Sequence, residues 1–420
     1  MKEIEVIKEE LLQDINWEET YNKLMNKAYI SKEDKEEITK LNMLYKEQIV
    51  EQLISGEYEW SIPEKIEIAK QGSKKKRIVY KYNTTDRYIL GVLYRAISRV
   101  YNNQFSNLCF SYKKGQSTSS AIWAIKENKL SNEIGVKVDI HSYFNSVSRE
   151  RVTELINEWF PGGLNKSIKK LMLDDKVYFH GQLINEWKSL VPGCALGSFF
   201  ANACLKEVDE HFENLNITYA RYSDDIILFD KTEEDVQRHL DYIIKSIGEY
   251  GLTMNPDKYT FFKENEAVEY LGLRIREDGK IDIANHAKQK IKKQVHRWCR
   301  KERVEIEKGN TTFEKAARGI LRRFNYKNMI CSLTGDNTFG WCGYSFKYIT
   351  TTDSLKEIDL YVKDCIRALK TGKHNKANYK AVSEEEFNSL GFTSLVTMYH
   401  TYKYDKDYYY ELIDLLSIRH

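Results

Sequence analysis

Only four prolines interrupt 420 residues, and no low-complexity linker separates one part of the chain from another. With few fixed-φ breaks and no flexible tether, the modules of a chain this long are expected to pack closely. No internal repeat is visible. No apolar run approaches the ~18 residues needed to cross a bilayer, and the opening MKEIEVIKEELL is too charged for a signal peptide. The seven cysteines (109, 194, 204, 299, 331, 342 and 365) include no CxxC pair and no cluster with histidine at zinc spacing. An odd count without a secretory signal reads as reduced thiols, and a cytoplasmic protein without membrane partners is expected. A large charge of one sign is also missing, the net value being +3.

Two runs carry carboxylates at informative places. In ARYSDDIILF, Tyr222, Ser223, Asp224 and Asp225 lie between apolar stretches and read as the turn of a hairpin. Upstream, IGVKVDIHSYFNSV puts Asp139 at the end of an alternating Val136, Val138, Ile140 strand, followed by Tyr143 and Phe144. If the strand and the hairpin share a sheet, three carboxylates meet near one point. They would repel unless divalent metal neutralised them, and a two-metal site uses such a cluster for nucleotidyl transfer. Asp139, Asp224 and Asp225 are therefore the expected metal ligands, with the Ile140 carbonyl as an addition. Between the two runs, LVPGCALGSFFANACLKEVDEHF supplies turn chemistry at Pro192-Gly193 and Gly197-Ser198, then a helix with Phe199, Phe200, Ala203 and Leu205 on its apolar side.

In order and spacing these segments resemble the palm motifs of reverse transcriptases: VDIHSYF, PGCALGSFFAN and the YSDD turn. KKKRIVYKYNTTDRYIL and CFSYKKGQSTSSAIWAI look like the fingers motifs. GLTMNPDKYTFF and EYLGLRI look like the lysine motif and the primer-grip hairpin, so the likeness runs from about residue 70 to 280. It implies that Asp139, Asp224 and Asp225 bind two Mg²⁺ ions, for which Mn²⁺ can substitute, and that Lys258 assists pyrophosphate departure. Lys76, Arg77 and Lys113 would hold the triphosphate, with Tyr143, Phe144, Gly193 and Asn202 around the nucleotide and Leu271-Gly272 at the primer-grip turn. Phe144, five residues after Asp139, matches the aromatic gate that excludes a 2′-hydroxyl, so deoxynucleotides are the expected substrates. Two departures stand out: Pro192 precedes Gly193 where the family usually has glutamine, and the usual serine is displaced to Ser198 after Gly197.

Charge is unevenly spread. From His286 to Lys327, fourteen Lys/Arg face four Glu, with Trp298, Phe313, Phe324 and Tyr326 interleaved. Alongside the polymerase motifs this reads as a thumb tracking phosphates, through Lys292, Lys293, Arg297, Arg300, Arg322 and Arg323. The expected class is α+β, a right-hand polymerase: a helical N-terminal layer over 1–63, with a capping box at Ser31 to Asp34, fingers over 64–135, an antiparallel-sheet palm over 136–283, and a helical thumb with a C-terminal extension over 284–420. An amphipathic helix is expected over 354–370, followed by a Gly372-Lys373-His374-Asn375 turn.

The later run SLGFTSLVTMYHTYKYDKDYYYELIDLL resembles the C-terminal segment of the bacterial defence-associated (unknown-group and abortive-infection-related) reverse transcriptases. It implies an enzyme that copies a partner noncoding RNA into DNA. Tyr408, Tyr409 and Tyr410 are candidates for priming synthesis from the protein itself. A retron-like enzyme making RNA-linked DNA and a non-catalytic RNA-binding scaffold are the alternatives, and a homo-oligomer stays open.

Overall fold

The structure is a computed structural model that describes residues 2–26, 30–69, 76–325, 341–373 and 375–418. Lys74 and Lys75 of the first fingers motif, Tyr326, Lys327, Cys331 and His374 lie outside the described residues. The chain divides into two compact units, residues 1–265 and 266–420. The division falls inside the stretch expected as palm. No helix among the described residues is long and apolar enough to cross a membrane.

The first unit opens with the helices Lys2–Leu12, Asp14–Met25, Lys32–Leu44 and Lys46–Ser55. Ser31 Oγ caps the third by accepting from the Asp34 N–H at 3.0 Å. Ile7, Leu11, Trp17 and Leu24 are buried, and their two helices pack on the helix Thr84–Tyr101. That helix buries Ile89, Leu93, Ile97 and Tyr101, one stripe at i, i+4 spacing. It starts at Asn83, whose side chain accepts from the Asp86 N–H. The buried Asp86 carboxylate accepts from the Tyr58 and Ser61 hydroxyls, fixing the chain where it enters the first sheet.

That sheet joins β1 (Glu64–Ala69), β2 (Lys76–Lys81), β4 (Lys176–Phe179) and β5 (Gln182–Asn185) in the order β2-β1-β4-β5. The central sheet has the order β6-β7-β3-β8, from β3 (Ile134–Asp139), β6 (Thr218–Tyr222), β7 (Asp225–Asp230) and β8 (Thr260–Phe262), all antiparallel. Val136 and Val138 turn one face of β3 into the core, which leaves Lys137 and Asp139 on the other. Register is set sterically at Gly135, opposite Phe229: a Cβ there would lie 2.2 Å from the Phe229 ring. Behind the sheet, Phe105 stacks on Trp159 at 5.2 Å and both pack on Phe199, which anchors the helix Ala195–Cys204.

The second unit contains a three-stranded sheet, order β11-β10-β9, from β9 (Val268–Tyr270), β10 (Leu273–Ile275) and β11 (Ile281–Ile283). The helices Asn285–Glu307, Phe313–Asn325, Trp341–Tyr348, Asp353–Thr371, Leu395–Tyr404 and Lys406–Ile418 follow. The amphipathic helix expected over 354–370 is Asp353–Thr371, closed by Gly372 in the left-handed region. Its buried Asp359 caps the helix Leu395–Tyr404, accepting from the Ser394 hydroxyl at 2.7 Å and the Leu395 N–H at 3.0 Å. Sheets that are antiparallel apart from the parallel β1–β4 pair, beside segregated helices, make the class α+β.

Candidate active site

Two hydrogen-bonded ladders bring the carboxylates together. In the β3–β7 ladder Asp139 is paired with Asp225, and Tyr222 is paired with Asp225 across the hairpin that turns at Ser223 and Asp224. The Ile140 N–H donates to the Asp224 carbonyl at 3.2 Å, stitching the buried Ile140 to the turn. Ser223 sits at φ 61°, a left-handed conformation that is costly for a residue with a Cβ.

The electrostatics bear the mark of crowding. Burial first, and then the charges of Asp224 and Asp139, push Asp225 up to about 6. Burial also raises Asp224, with Asp139 adding to the effect. The positive charges of Lys137 and Lys258 partly oppose the rise at Asp225. Lys258 ends a short 3-10 turn and donates to Asp139 Oδ1 at 2.5 Å. Among the described residues no three His, Cys, Asp or Glu side chains already form a metal-ligating group; the Lys258 ammonium supplies the cationic partner of Asp139 instead. Hard carboxylate oxygens on adjacent strands, with ionisation penalised by their mutual repulsion, are nevertheless a donor set suited to a divalent ion.

The nucleotide side is assembled from distant segments. Tyr112 presents its ring edge-on to Phe144, centroids 6.2 Å apart, and its hydroxyl lies 3.5 Å from Ser223 Oγ. Burial raises the Tyr112 pKa, Asp224 raises it further and Arg77 lowers it, so the expected triphosphate arginine and the metal turn act on one phenol. Arg77 and Lys76 are exposed on β2, with Lys76 paired to Glu67. Phe144 is half-buried, and its carbonyl accepts from the Leu190 N–H at 3.2 Å. Gly193, at φ 98°, lies against β2, where a Cβ would stand 3.0 Å from the Tyr80 carbonyl. Pro192 contributes its carbonyl to the Tyr80 N–H at 2.7 Å, so its missing N–H costs nothing there.

Several expected site residues are placed elsewhere. Tyr143 is buried in the core, its hydroxyl donating to the Ala201 carbonyl, because the strand-end turn directs it inward and Phe144 outward. Asn202 is 1% exposed and bonded to Ser111 through both ends of its amide, which removes it from contact with a nucleotide. Lys113 gives its ammonium to the Phe105 and Ser106 carbonyls and to Asn107. Lys292 is paired with Glu357 at 2.5 Å and lies over the Tyr361 ring, so its ammonium fastens one helix to another. Arg323 reaches Glu302 at 3.3 Å. Lys293, Arg297, Arg300 and Arg322 are exposed. Leu271 and Gly272, at φ 49° and 82°, form a two-residue turn between β9 and β10, held where the Tyr344 hydroxyl donates to the Leu271 carbonyl at 2.7 Å. Tyr408 and Tyr410 are 49% and 41% exposed, whereas Tyr409 is fully buried among Phe346 and Tyr402, out of reach of any substrate.

Sequence reasoning missed Tyr112, Lys137, Ser111 and the Arg221–Asp209 pair. Lys137 could have been found, since a lysine two residues before Asp139 on one strand shares its face. Tyr112 and Ser111 carry no local signal, because their roles arise from contacts with residues remote in sequence, and the Arg221–Asp209 pair shows only once strand and helix are packed together.

A carboxylate turn on a hairpin beside a third acidic strand end, with a half-buried aromatic and exposed cations nearby, is an arrangement chemically suited to nucleotidyl transfer. Residues 68–275 match the family described as "Reverse transcriptase (RNA-dependent DNA polymerase)". The match spans just under half of the chain, and this stretch is similar to a reverse transcriptase domain. A 58-residue stretch is 40% identical to the "Retrovirus-related Pol polyprotein from transposon gypsy" of Drosophila melanogaster, and an 85-residue stretch is 29% identical to the "Enzymatic polyprotein" of Soybean chlorotic mottle virus. These stretches are 14% and 20% of the chain and only 5% and 12% of those relatives. Among solved structures, a telomerase from Candida albicans in complex with a fragment of telomeric RNA overlays 86% of this chain and 67% of its own, with TM-score 0.43 and 12% identity. An apo telomerase from Candida tropicalis overlays 54% and 55%, with TM-score 0.42 and 13% identity.

Proposed function

We propose that this protein is an RNA-directed DNA polymerase of the antiphage-defence type, joining deoxynucleotides on a partner noncoding RNA template. The observation that carries the polymerase reading is the pairing of Asp139 with Asp225 across the β3–β7 ladder, with Asp224 at the adjoining turn. The defence assignment and the noncoding template rest on the likeness of the C-terminal segment. The exposure of Tyr408 and Tyr410 leaves those two as the candidates for protein priming.

Asp139, Asp224 and Asp225, with the Ile140 carbonyl, would hold two Mg²⁺ ions, which when bound supply Lewis-acid activation of the attacking hydroxyl and neutralise the leaving pyrophosphate. Arg77 and Lys76 then grip the triphosphate from the fingers strand. The Phe144 ring occupies the space that a 2′-hydroxyl would need, braced by Tyr112. Lys258 moves off Asp139 to meet the departing pyrophosphate, as a proton donor or as a charge. Exposed cations on the helix Asn285–Glu307 track the phosphates of the duplex.

Replacing Asp224 and Asp225 together by Ala is expected to abolish deoxynucleotide incorporation on an RNA template while RNA binding persists. Undiminished synthesis by that variant overturns the assignment. Sequencing the nucleic acid that copurifies with the protein tests the template, since a single structured noncoding RNA and its DNA copy are expected.

A further inference from the structure

Behind the metal-binding turn lies a charged residue with no contact with solvent. Arg221 is 0% exposed and is held by the equally buried Asp209 through Nε to Oδ1 at 2.8 Å and Nη2 to Oδ2 at 2.5 Å. Of its other N–H groups, Nη1 reaches the Ser223 carbonyl at 3.1 Å and Asn202 Oδ1 at 3.5 Å, and Nη2 also reaches Cys109 Sγ at 3.1 Å. From the other side, the Ser111 hydroxyl accepts from the Ser223 N–H at 2.8 Å. Both backbone polar groups of Ser223 are therefore held by side chains, the carbonyl by Arg221 from the hairpin's own first strand and the N–H by Ser111 from a remote segment.

Ser223 is the residue that needs holding. It occupies a left-handed conformation in a two-residue turn, where hairpins ordinarily place Gly, Asn or Asp. A fully buried ion pair is an inefficient way to stabilise a core, because desolvation offsets much of the attraction and an apolar pair packs as well. What an apolar pair lacks is a donor aimed at the turn.

We propose that Arg221 is a positioning residue for the metal-binding turn: anchored on Asp209 and opposed by Ser111, it holds Ser223 left-handed and so aims Asp224 at Asp139 and Asp225. The inference rests on the reading of this turn as the metal site. Groups behind metal ligands typically change affinity ten- to a hundredfold when altered, and loss of this one weakens metal binding more than it slows the step that follows.

The test is binding of Mn²⁺ alone, followed by electron paramagnetic resonance on the full-length protein. R221K keeps the charge facing Asp209 but loses the planar fork, and S111A removes the opposite clamp while leaving the ion pair in place. Each is expected to weaken Mn²⁺ binding by about tenfold. Adding S223G to either is expected to restore most of it, because glycine takes the left-handed conformation unaided. In a polymerisation assay, R221K is expected to raise the Mg²⁺ needed for half-maximal rate by a similar factor, with the rate at saturating Mg²⁺ within about threefold of wild type. Wild-type Mn²⁺ affinity in both R221K and S111A overturns the inference, and so does a failure of S223G to restore either. Normal Mn²⁺ binding by a wild-type protein that makes no DNA would instead overturn the polymerase reading and leave this one standing.

Discussion

Lys258 places its ammonium 2.5 Å from the carboxylate of Asp139, a residue 119 positions earlier in the chain. The contact joins the group expected to assist the leaving pyrophosphate to one of the metal ligands. In the proposed mechanism one positive charge serves two negative partners in turn. Lys258→Met is expected to bind Mn²⁺ at least as tightly as wild type, because a competitor for Asp139 is gone. Its kcat is expected to fall by about 10²-fold, the usual scale of a lost general acid. Mn²⁺ titration and steady-state kinetics on one preparation separate the effects; weaker Mn²⁺ binding with unchanged kcat would refute this division of labour.

Asp225 titrates at about 6, against an ordinary 3.8. The folded state therefore holds this proton more tightly than the unfolded chain does. That contribution to stability is complete below the unfolded value and is lost as pH rises through the folded one. Metal-free protein is expected to lose on the order of 2 kcal/mol between about pH 4 and pH 6, and Asp225→Asn to flatten that slope. Thermal unfolding in a chelator across this range checks it, an unchanged slope in the variant being the contrary result. Divalent affinity has the opposite trend, weakening as pH falls below about 6, since the ion must displace the proton.

Phe144 stands edge-on to Tyr112 with its backbone tied to Leu190. A ring so constrained is suited to judging the sugar by shape. Phe144→Ala is expected to raise ribonucleotide incorporation relative to deoxynucleotide by roughly 10- to 100-fold, the scale that a steric pocket achieves. Competition between the two nucleotide types on one template measures the ratio, and an unaltered ratio would remove Phe144 from the gate.

The exposed cations of the helix Asn285–Glu307 divide from its paired ones. Replacing Lys293, Arg297 and Arg300 by Ala is expected to lower the slope of log affinity against log salt for an RNA–DNA duplex by about 2 to 3, near 0.9 for each phosphate contact. Lys292→Ala, which cuts the tie to Glu357, is expected to leave that slope unchanged and to cost under about 1 kcal/mol of stability. Anisotropy titrations at several salt concentrations distinguish the two, and equal slopes for both variants would argue against this division.

Gly135 has its own consequence for the site. A methyl group there would meet the Phe229 ring and the Leu228 carbonyl, so Gly135→Ala must shift β3 against β7. About 1 to 3 kcal/mol of stability is expected to be lost, as in other overpacked cores. Because Asp139 and Asp225 lie on the same ladder, Mn²⁺ affinity is expected to fall as well; unfolding and Mn²⁺ titrations that match wild type would refute the register argument.

Much of the site was legible because its signals are local. An alternating strand ending in Asp139, a hairpin turn at Asp224 and Asp225, and helix caps such as Ser31 each depend on residues a few positions apart, where backbone geometry alone settles the outcome. Lysines and tyrosines were not legible in this way. Lys292 and Lys293 are neighbours, yet the first is spent on Glu357 and the second faces outward. Tyr409 is buried between two exposed tyrosines, and Tyr143 turns into the core while Phe144 does not. Composition assigns all of these one chemistry, whereas the partner each side chain finds is chosen by elements far away in the chain. The carboxylates thus follow from order along the polypeptide. Which cations remain for substrate, and what holds the turn in place, were decided only by packing, since a charge or a hydroxyl is available for function only where burial and a closer partner have not already claimed it.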